Sequence, residues 1–317
     1  GCFYALDSML LNGHKGPVFA VAFAPDCSLV VTASGDRSAK VWDAKKGLEI
    51  TSFTAHSGTV NSASFSPDGR LILTGSGDRT AKVWDYQNGQ CNLSLEGHSV
   101  GILSSAFSYD GRFILTGSGD RVAKLWDSDR GECMLSILGH AGYVNSVAFS
   151  LDGRTIVTSS SDRTARIWDG RSSECLQTFE GHGATVTSAS FVPGGDSILT
   201  SSADNTSKIW DMKTAHCRST LEGHEGQVTS ASVSSDGRFV ATGSFDRDAK
   251  VWDRQARRCI LTLPGHADSV RSVTFSPDDC YVATASNDFT AIVWDAVGDE
   301  LRNYWESEYA AIDSVEK

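Results

Sequence analysis

The chain has 317 residues, of which 40% are hydrophobic and 21% charged, a balance typical of globular proteins and too apolar for a disordered chain. No stretch reaches the roughly 18 uninterrupted apolar residues of a membrane-spanning helix, and the N-terminus lacks a basic segment followed by an apolar signal core. The formal net charge is −11, but fourteen of the 39 acidic residues occupy two repeated positions, which leaves 25 acids against 28 bases. The acidity therefore belongs mostly to the architecture and argues only weakly against nucleic-acid binding.

One period of 42 residues organises the chain. Seven histidines recur at this spacing from His14 to His266, and seven Trp-Asp pairs recur from Trp42-Asp43 to Trp294-Asp295. In chain order each unit predicts a strand after the His, a turn, an apolar strand, a tight turn with Asp, a strand into Trp-Asp, and a short fourth strand. Turns such as Ser66-Pro67-Asp68-Gly69 predict hairpins, because Pro sets φ for a type I turn and Gly accepts the positive φ that follows.

The second predicted strand of each unit, such as Leu71-Ile72-Leu73, is continuously apolar, which indicates burial on both faces. A period of about 40 to 45 residues with Gly-His and Trp-Asp resembles the WD40 repeat family, and the resemblance covers residues 5–296. It implies an all-β fold, a seven-bladed β-propeller of four-stranded antiparallel blades around a central channel. We assign residues 1–298 to this propeller and residues 299–317 to an acidic, aromatic C-terminal extension.

The seventh blade must find its fourth strand elsewhere, because the chain reaches Trp294 with only three strands of that blade formed. Residues 5–11 align with the outer strand of the other repeats and stand just before Gly13-His14. We predict that this N-terminal strand completes the seventh blade and closes the ring. Leu301 and Trp305 fall in the same register and form a rival, since only one segment can occupy the edge.

Each repeat carries a His, a Thr, an Asp and a Trp at fixed offsets. A hydroxyl, an imidazole and a carboxylate suggest a hydrolase, but a catalytic triad is needed once and this set occurs seven times. The WD40 resemblance implies a buried tetrad instead, in which the indole donates to the hydroxyl, the hydroxyl to the imidazole and the imidazole to the carboxylate. The tetrads are His14, Thr32, Asp36, Trp42; His56, Thr74, Asp78, Trp84; His98, Thr116, Asp120, Trp126; His140, Thr158, Asp162, Trp168; His182, Thr200, Asp204, Trp210; His224, Thr242, Asp246, Trp252; and His266, Thr284, Asp288, Trp294.

We expect no catalytic residue, cofactor or metal. One histidine per blade brings no three ligands to one point, and no Gly-rich phosphate loop precedes a helix. Five of the eight cysteines recur every 42 residues and should lie too far apart for disulfides, namely Cys91, Cys133, Cys175, Cys217 and Cys259. This fits a reducing compartment, so we expect a cytoplasmic protein, with cytoskeletal, ciliary and nuclear locations left open.

The predicted top face is built by the loop after each His and by the turn that carries the Asp. Five of the seven Asp residues are followed by Arg, which predicts a broken basic ring suited to a carboxylate, a phosphate or an acidic peptide. Its members are Arg37, Arg79, Arg121, Arg163 and Arg247. In the alternative, each guanidinium caps carbonyls of its own or a neighbouring turn.

Repeats six, seven and one depart from the pattern together. Phe245 stands before the Asp, Phe289 replaces the Arg after it, and Arg271 and Phe19 occupy the start of the innermost strands. Exposed aromatics beside an Arg are typical of interface hot spots, so this sector is the candidate contact patch, with Tyr143 as an outlier. The alternative is ordinary packing of each Phe on a neighbouring blade.

The leading hypothesis is a non-catalytic scaffold that binds partner proteins or peptides mainly on its top face and channel mouth, within a multiprotein complex and without a small-molecule substrate. The second is a substrate-recruiting adaptor of a cullin-4-type ubiquitin ligase, because Trp168-Asp169-Gly170-Arg171 resembles the W-D-x-R docking element of some family members. A ciliary or centriolar assembly scaffold is a further alternative. An enzyme with a site at the channel mouth finds no unmatched cluster of acids or histidines to support it.

Overall fold

The computed structural model describes residues 8–294, and every regular element in that range is a β-strand. The chain opens with β1 (Ser8–Asn12). The other strands follow in groups: blade 1, β2 (Val18–Phe23), β3 (Leu29–Ser34), β4 (Ala39–Asp43), β5 (Glu49–Phe53); blade 2, β6 (Val60–Phe65), β7 (Leu71–Ser76), β8 (Thr80–Asp85), β9 (Cys91–Glu96); blade 3, β10 (Ile102–Phe107), β11 (Phe113–Ser118), β12 (Ala123–Asp127), β13 (Cys133–Ile137); blade 4, β14 (Val144–Phe149), β15 (Thr155–Ser160), β16 (Ala165–Asp169), β17 (Cys175–Phe179); blade 5, β18 (Val186–Phe191), β19 (Ser197–Ser202), β20 (Ser207–Asp211), β21 (Cys217–Leu221); blade 6, β22 (Val228–Val233), β23 (Phe239–Ser244), β24 (Ala249–Asp253), β25 (Arg258–Leu263); and blade 7, β26 (Val270–Phe275), β27 (Val282–Ser286), β28 (Thr290–Trp294).

The strands form seven separate four-stranded antiparallel sheets, each made of neighbours in sequence except at the ring closure. The first strand of every blade contacts the first strand of the next blade, so these seven strands line the central channel. The predicted seven-bladed propeller is therefore confirmed. Over residues 8–294 the chain forms no helix long and apolar enough to span a lipid bilayer.

The N-terminal strand closes the ring, as predicted. β1 pairs antiparallel with β28 from Ser8 opposite Trp294 to Asn12 opposite Thr290, and it buries Leu11 between blades 7 and 1. The outer edge of β28 is thus occupied and cannot also pair with a second segment. The start of the predicted strand at residues 5–7, the rival segment with Leu301 and Trp305, and the boundary at residue 298 lie outside the described residues.

The core is divided among the interfaces between blades. The second strands, such as β7 and β11, are buried along their length except at the first residue, because each sheet is covered on both faces. One hydrophobic cluster fills each of the seven interfaces between neighbouring blades in the described chain. Between blades 2 and 3, for example, Leu95 packs against Trp126. Full burial of such side chains contributes about 1.5–3 kcal/mol each.

The turns define two faces of the ring. On the bottom face the first and second strands are joined by turns such as that from Ser66 to Gly69, where the Gly69 N–H donates to the Ser66 carbonyl (2.9 Å) at φ +72°. On the top face the loop before each first strand meets the turn between the second and third strands. There the Gly35 N–H donates to the Pro17 carbonyl (2.8 Å). The top face is therefore built by the two segments that the sequence predicts.

Candidate functional site

A hydrogen-bonded chain of four side chains links the strands of every blade. In blade 2, Trp84 donates from Nε1 to Thr74 Oγ1 (2.8 Å), and this hydroxyl lies 2.8 Å from His56 Nε2. The other imidazole nitrogen, His56 Nδ1, lies 2.8 Å from Asp78 Oδ2. The same three contacts occur in all seven blades, at 2.7–3.0, 2.7–2.8 and 2.7–2.9 Å respectively. Each group thereby finds the partner that offsets its desolvation.

Hydrogen bonds hold the tetrad carboxylates ionised. Asp78 also accepts from the Thr80 hydroxyl (2.7 Å) and from the backbone N–H groups of Thr80 and Ser57 (3.0 Å each). Burial alone would raise the pKa of Asp78, but these bonds and the one from His56 outweigh it and lower the pKa to about 2. Burial lowers the pKa of His56, and Asp78 offsets only part of that effect.

The imidazole of each tetrad is therefore neutral at pH 7. Its Nδ1–H donates to the carboxylate, and its Nε2 accepts the threonine hydroxyl, which in turn accepts the indole N–H. Every polar side-chain atom of the tetrad is hydrogen-bonded, so the tetrad offers no free base and no free nucleophile. This arrangement ties strands together and is not a catalytic geometry.

The turn after each tetrad Asp has an unusual backbone. The next residue lies in the left-handed region in all seven blades, with φ between 70° and 77°, at Arg37, Arg79, Arg121, Arg163, Asn205, Arg247 and Phe289. This region costs an L-residue roughly 1–2 kcal/mol and is tolerated best by Gly and Asn. The only sequence signal for this conformation is Asn205, which stands at the equivalent position of repeat five.

The five arginines of the predicted ring lie exposed in these turns. Within residues 8–294 their side chains make no hydrogen bond and no ion pair, so the capping of carbonyls considered as the alternative does not occur there. Their guanidinium groups face solvent at the top of blades 1, 2, 3, 4 and 6.

Three of the predicted sector residues come together from three blades. Arg271 in β26 places its Cζ atom over the ring of Phe19 in β2, 5.4 Å from the ring centroid. It also lies over the ring of Phe245, which stands in the turn between β23 and β24, at 5.3 Å. A Cβ atom added at Gly35 would lie 3.3 Å from the Phe19 ring, so the glycine makes room for that ring. We call Phe19, Phe245, Arg271 and Phe289 the blade 6–7–1 sector.

The other two aromatic candidates lie outside this stacked group. Phe289 belongs to the top turn of blade 7, is 45% exposed and makes no ring contact with any described residue. Tyr143 is 54% exposed on the top of blade 4, which blades 5 and 6 separate from blade 7. Phe289 is thus a free aromatic edge of the sector, whereas Tyr143 is an isolated exposed ring.

Arg271 differs from four of its six repeat equivalents; the other two, Phe19 and Leu103, are apolar. Those four donate a hydrogen bond to a carbonyl at the start of the next blade's innermost strand: Asn61 to Ile102 (2.7 Å), Asn145 to Val186 (2.9 Å), Thr187 to Val228 (2.7 Å) and Thr229 to Val270 (2.8 Å). Arg271 makes no hydrogen bond and no ion pair with any described residue. Burial lowers the pKa of Arg271, and the charge of Asp268 offsets only part of this.

The bottom face holds a cavity that the sequence analysis missed. A space of about 940 Å³ opens at the lower mouth of the channel, with exposed Tyr109 and Leu151 on its rim and Phe191 and Pro193 in its wall. Tyr109 and Leu151 stand where four of the other five repeats carry Pro, and that substitution was the available signal. Arg171 is exposed in a bottom turn, where its backbone N–H donates to Asp169 Oδ1 (2.8 Å).

No group of three or more His, Cys, Asp or Glu side chains within residues 8–294 could hold a metal ion. The five recurring cysteines are free and exposed, each in the outer strand of a different blade.

The geometry defines a class, a propeller built from one repeated blade and locked by a polar tetrad in each copy. The family model of the WD domain, G-beta repeat (WD40), matches residues 7–43, 47–85, 89–127, 131–169, 173–211, 215–253 and 257–295. The chain therefore belongs to the WD40 repeat family. Propellers of this family are generally protein-interaction scaffolds and generally non-catalytic. A search of curated proteins found no match.

Proposed function

We propose that this chain is a non-catalytic scaffold that binds partner proteins or peptides on its top face, through the blade 6–7–1 sector. One observation carries the proposal: Arg271 lies over two Phe rings from the neighbouring blades, and no described residue forms a hydrogen bond or an ion pair with its guanidinium. Aromatic and Arg side chains dominate interface hot spots because they combine apolar contact with directional hydrogen bonds. Exposed Phe289 extends the same surface.

The hydrogen-bonded state of the tetrads supports the non-catalytic part of this proposal. A hydrolase needs a base with a free lone pair beside a free nucleophile. In each tetrad the imidazole lone pair and the threonine hydroxyl are already hydrogen-bonded to each other. The arginines of the top face bind anions but do not exchange protons near pH 7.

The arginine ring favours association with a partner that has an acidic surface. Five exposed guanidinium groups without an acceptor in the described chain form a discontinuous positive surface around the channel mouth. Such a surface accelerates the encounter with an acidic partner more than it raises the final affinity. We expect association rates with such a partner to fall as the ionic strength rises.

The test is affinity capture from the source cell, with bound proteins identified by mass spectrometry. The sector variant combines Phe245→Ala, Arg271→Ala and Phe289→Ala. The matched control combines Arg79→Ala, Arg121→Ala and Tyr143→Ala on blades 2 to 4 of the same face. We expect partners on the wild type and the control that are lost from the sector variant, with both variants melting cooperatively. Partners retained by the sector variant contradict the assignment of this surface.

The ligase-adaptor alternative uses the opposite face, because Arg171 is exposed in a bottom turn. An Arg171→Ala arm in the same capture separates the two hypotheses. Loss of the ligase adaptor from this arm alone would favour the alternative, whereas an unchanged set of partners leaves the top face as the binding surface.

A further inference from the structure

We propose that the guanidinium of Arg271 is the receptor for a carboxylate, supplied by an Asp or Glu side chain of the partner peptide. This rests on the proposed function, because it names the chemistry of the ligand that the blade 6–7–1 sector takes.

The first step is the comparison of equivalent positions. At three equivalent positions the side chain donates a hydrogen bond to a carbonyl of the next blade, namely at Asn145, Thr187 and Thr229. Arg271 stands at the same position with a longer, charged side chain, and it makes no hydrogen bond with any described residue. Its N–H donors therefore stay available, although the side chain is half-buried.

The second step concerns the two rings. Phe19 and Phe245 contact the cation at 5.4 and 5.3 Å, and cation–π contacts of this kind restrict the side chain without using its N–H groups. A restricted guanidinium loses less entropy when it binds a ligand. Its N–H groups lie in one plane and match the two oxygens of a carboxylate in a bidentate pair.

The third step concerns charge. Burial disfavours the charged guanidinium, and no described carboxylate lies within ion-pair distance to offset this, since Asp268 acts only from farther away. An incoming carboxylate supplies the missing counter-charge in a site where two aromatic walls reduce the local dielectric constant. Arg37 and Arg247 lie in the adjacent top turns and favour further acids along the same peptide.

The experiment selects phage-displayed random peptides on the immobilised wild-type chain and resynthesises the selected peptides. We expect enrichment of Asp and Glu, and a fall in affinity of about tenfold or more when the key acid is changed to Asn or Gln. Arg271→Met should abolish the difference in affinity between the acidic peptide and its Asn or Gln version. Arg271→Lys should restore only part of this difference, because an ammonium group cannot form the bidentate pair. Selected peptides without acids, peptides that bind Arg271→Met equally well, or tighter binding of a phosphoserine version would each overturn the proposal.

Two further arms separate this proposal from the proposed function. If binding depends on Phe245 and Phe289 but the Glu→Gln peptide binds as well as its parent, the carboxylate receptor is wrong and the scaffold surface stands. If Phe245→Ala and Phe289→Ala leave peptide binding unchanged, the sector itself is wrong. Should Arg271→Met fold poorly, the Glu→Gln peptides tested on the wild-type chain still decide the question.

Discussion

The innermost strands of blades 6 and 7 differ in how the side chain at one equivalent position contacts its neighbours. In blade 6, Thr229 donates to the Val270 carbonyl (2.8 Å) and so ties its blade to the next one. In blade 7, Arg271 stands at the equivalent position, forms no such bond and is held between Phe19 and Phe245. A repeated scaffold satisfies its polar groups internally, and a repeat that stops doing so leaves donors for a ligand.

The sector exists only if blade 7 is closed against blade 1, so removal of β1 should have the largest effect on it. Deleting residues 1–12 should lower the free energy of unfolding by at least about 2–5 kcal/mol, the usual cost of losing one buried Leu such as Leu11. The exposed edge of β28 should also promote aggregation. Urea denaturation monitored by tryptophan fluorescence measures the loss. Leu10→Ala is the control, since Leu10 lies on the same strand and is 52% exposed; a deletion no more costly than Leu10→Ala would contradict the closure.

Acid distinguishes the tetrads from the sector, because it titrates the tetrads and not the one arginine of the sector, Arg271. The pKa of every tetrad His is lowered from 6.5, and the pKa of Asp36, Asp78, Asp162 and Asp204 is about 2 instead of 3.8. The unfolded chain therefore binds more protons than the folded one, and stability falls as the pH falls.

The full stability should be present above about pH 6.5, the pKa of an unperturbed His, and should decline below it, most steeply between about pH 4 and pH 2. Thermal melts recorded by circular dichroism from about pH 8 to about pH 2 measure this. A melting temperature that stays constant or rises on acidification would contradict the neutral, buried histidines.

A single tetrad can be broken without touching the sector. Asp78→Ala should cost about 1–3 kcal/mol, because it leaves the His56 Nδ1–H and two backbone N–H groups without their acceptor. Partner capture should be unchanged. Chemical denaturation compares Asp78→Ala with a control variant, Asp129→Ala, whose side chain is exposed. Equal stability of the two variants would contradict a structural role for the tetrad.

The repeat made most of the fold predictable. His14 to His266 and the Trp-Asp pairs recur without an insertion, so the period specified the number of blades, and the alignment of the N-terminal segment specified the closure. The sector residues could be named because Phe245, Phe289 and Arg271 interrupt a repeated pattern. Periodicity carries no information about contacts between side chains of different repeats, so the stacking of Arg271 between two rings could not be predicted.

Two other features escaped for related physical reasons. The left-handed backbone at Arg37 and its equivalents arises from the geometry of the turn. Arg has no preference for this conformation, so only Asn205 indicated it in the sequence. The bottom cavity depends on how five blades converge at the channel, which is a property of the assembled ring.

The smallest expected effect concerns Phe289, a bulky residue at φ +74° in an exposed turn. Phe289→Asn should raise the stability by up to about 1 kcal/mol, because Asn tolerates this conformation better, and should weaken partner binding. The reverse change in blade 5, Asn205→Phe, should lower the stability by a similar amount. Paired denaturation curves measure both changes, and a destabilised Phe289→Asn would show that the ring is packed rather than presented.

The central claim is that the position shared by Thr229 and Arg271 is structural in blade 6 and ligand-binding in blade 7. The most direct measurement compares Thr229→Val and Arg271→Met for both the free energy of unfolding and the capture of partner. Thr229→Val should lose about 0.5–1.5 kcal/mol and keep its partner. Arg271→Met should stay close to the wild-type stability, because removal of a half-buried unpaired charge offsets the lost cation–π contacts, and should lose its partner. An Arg271→Met chain that is as destabilised as Thr229→Val and still binds its partner would contradict the account.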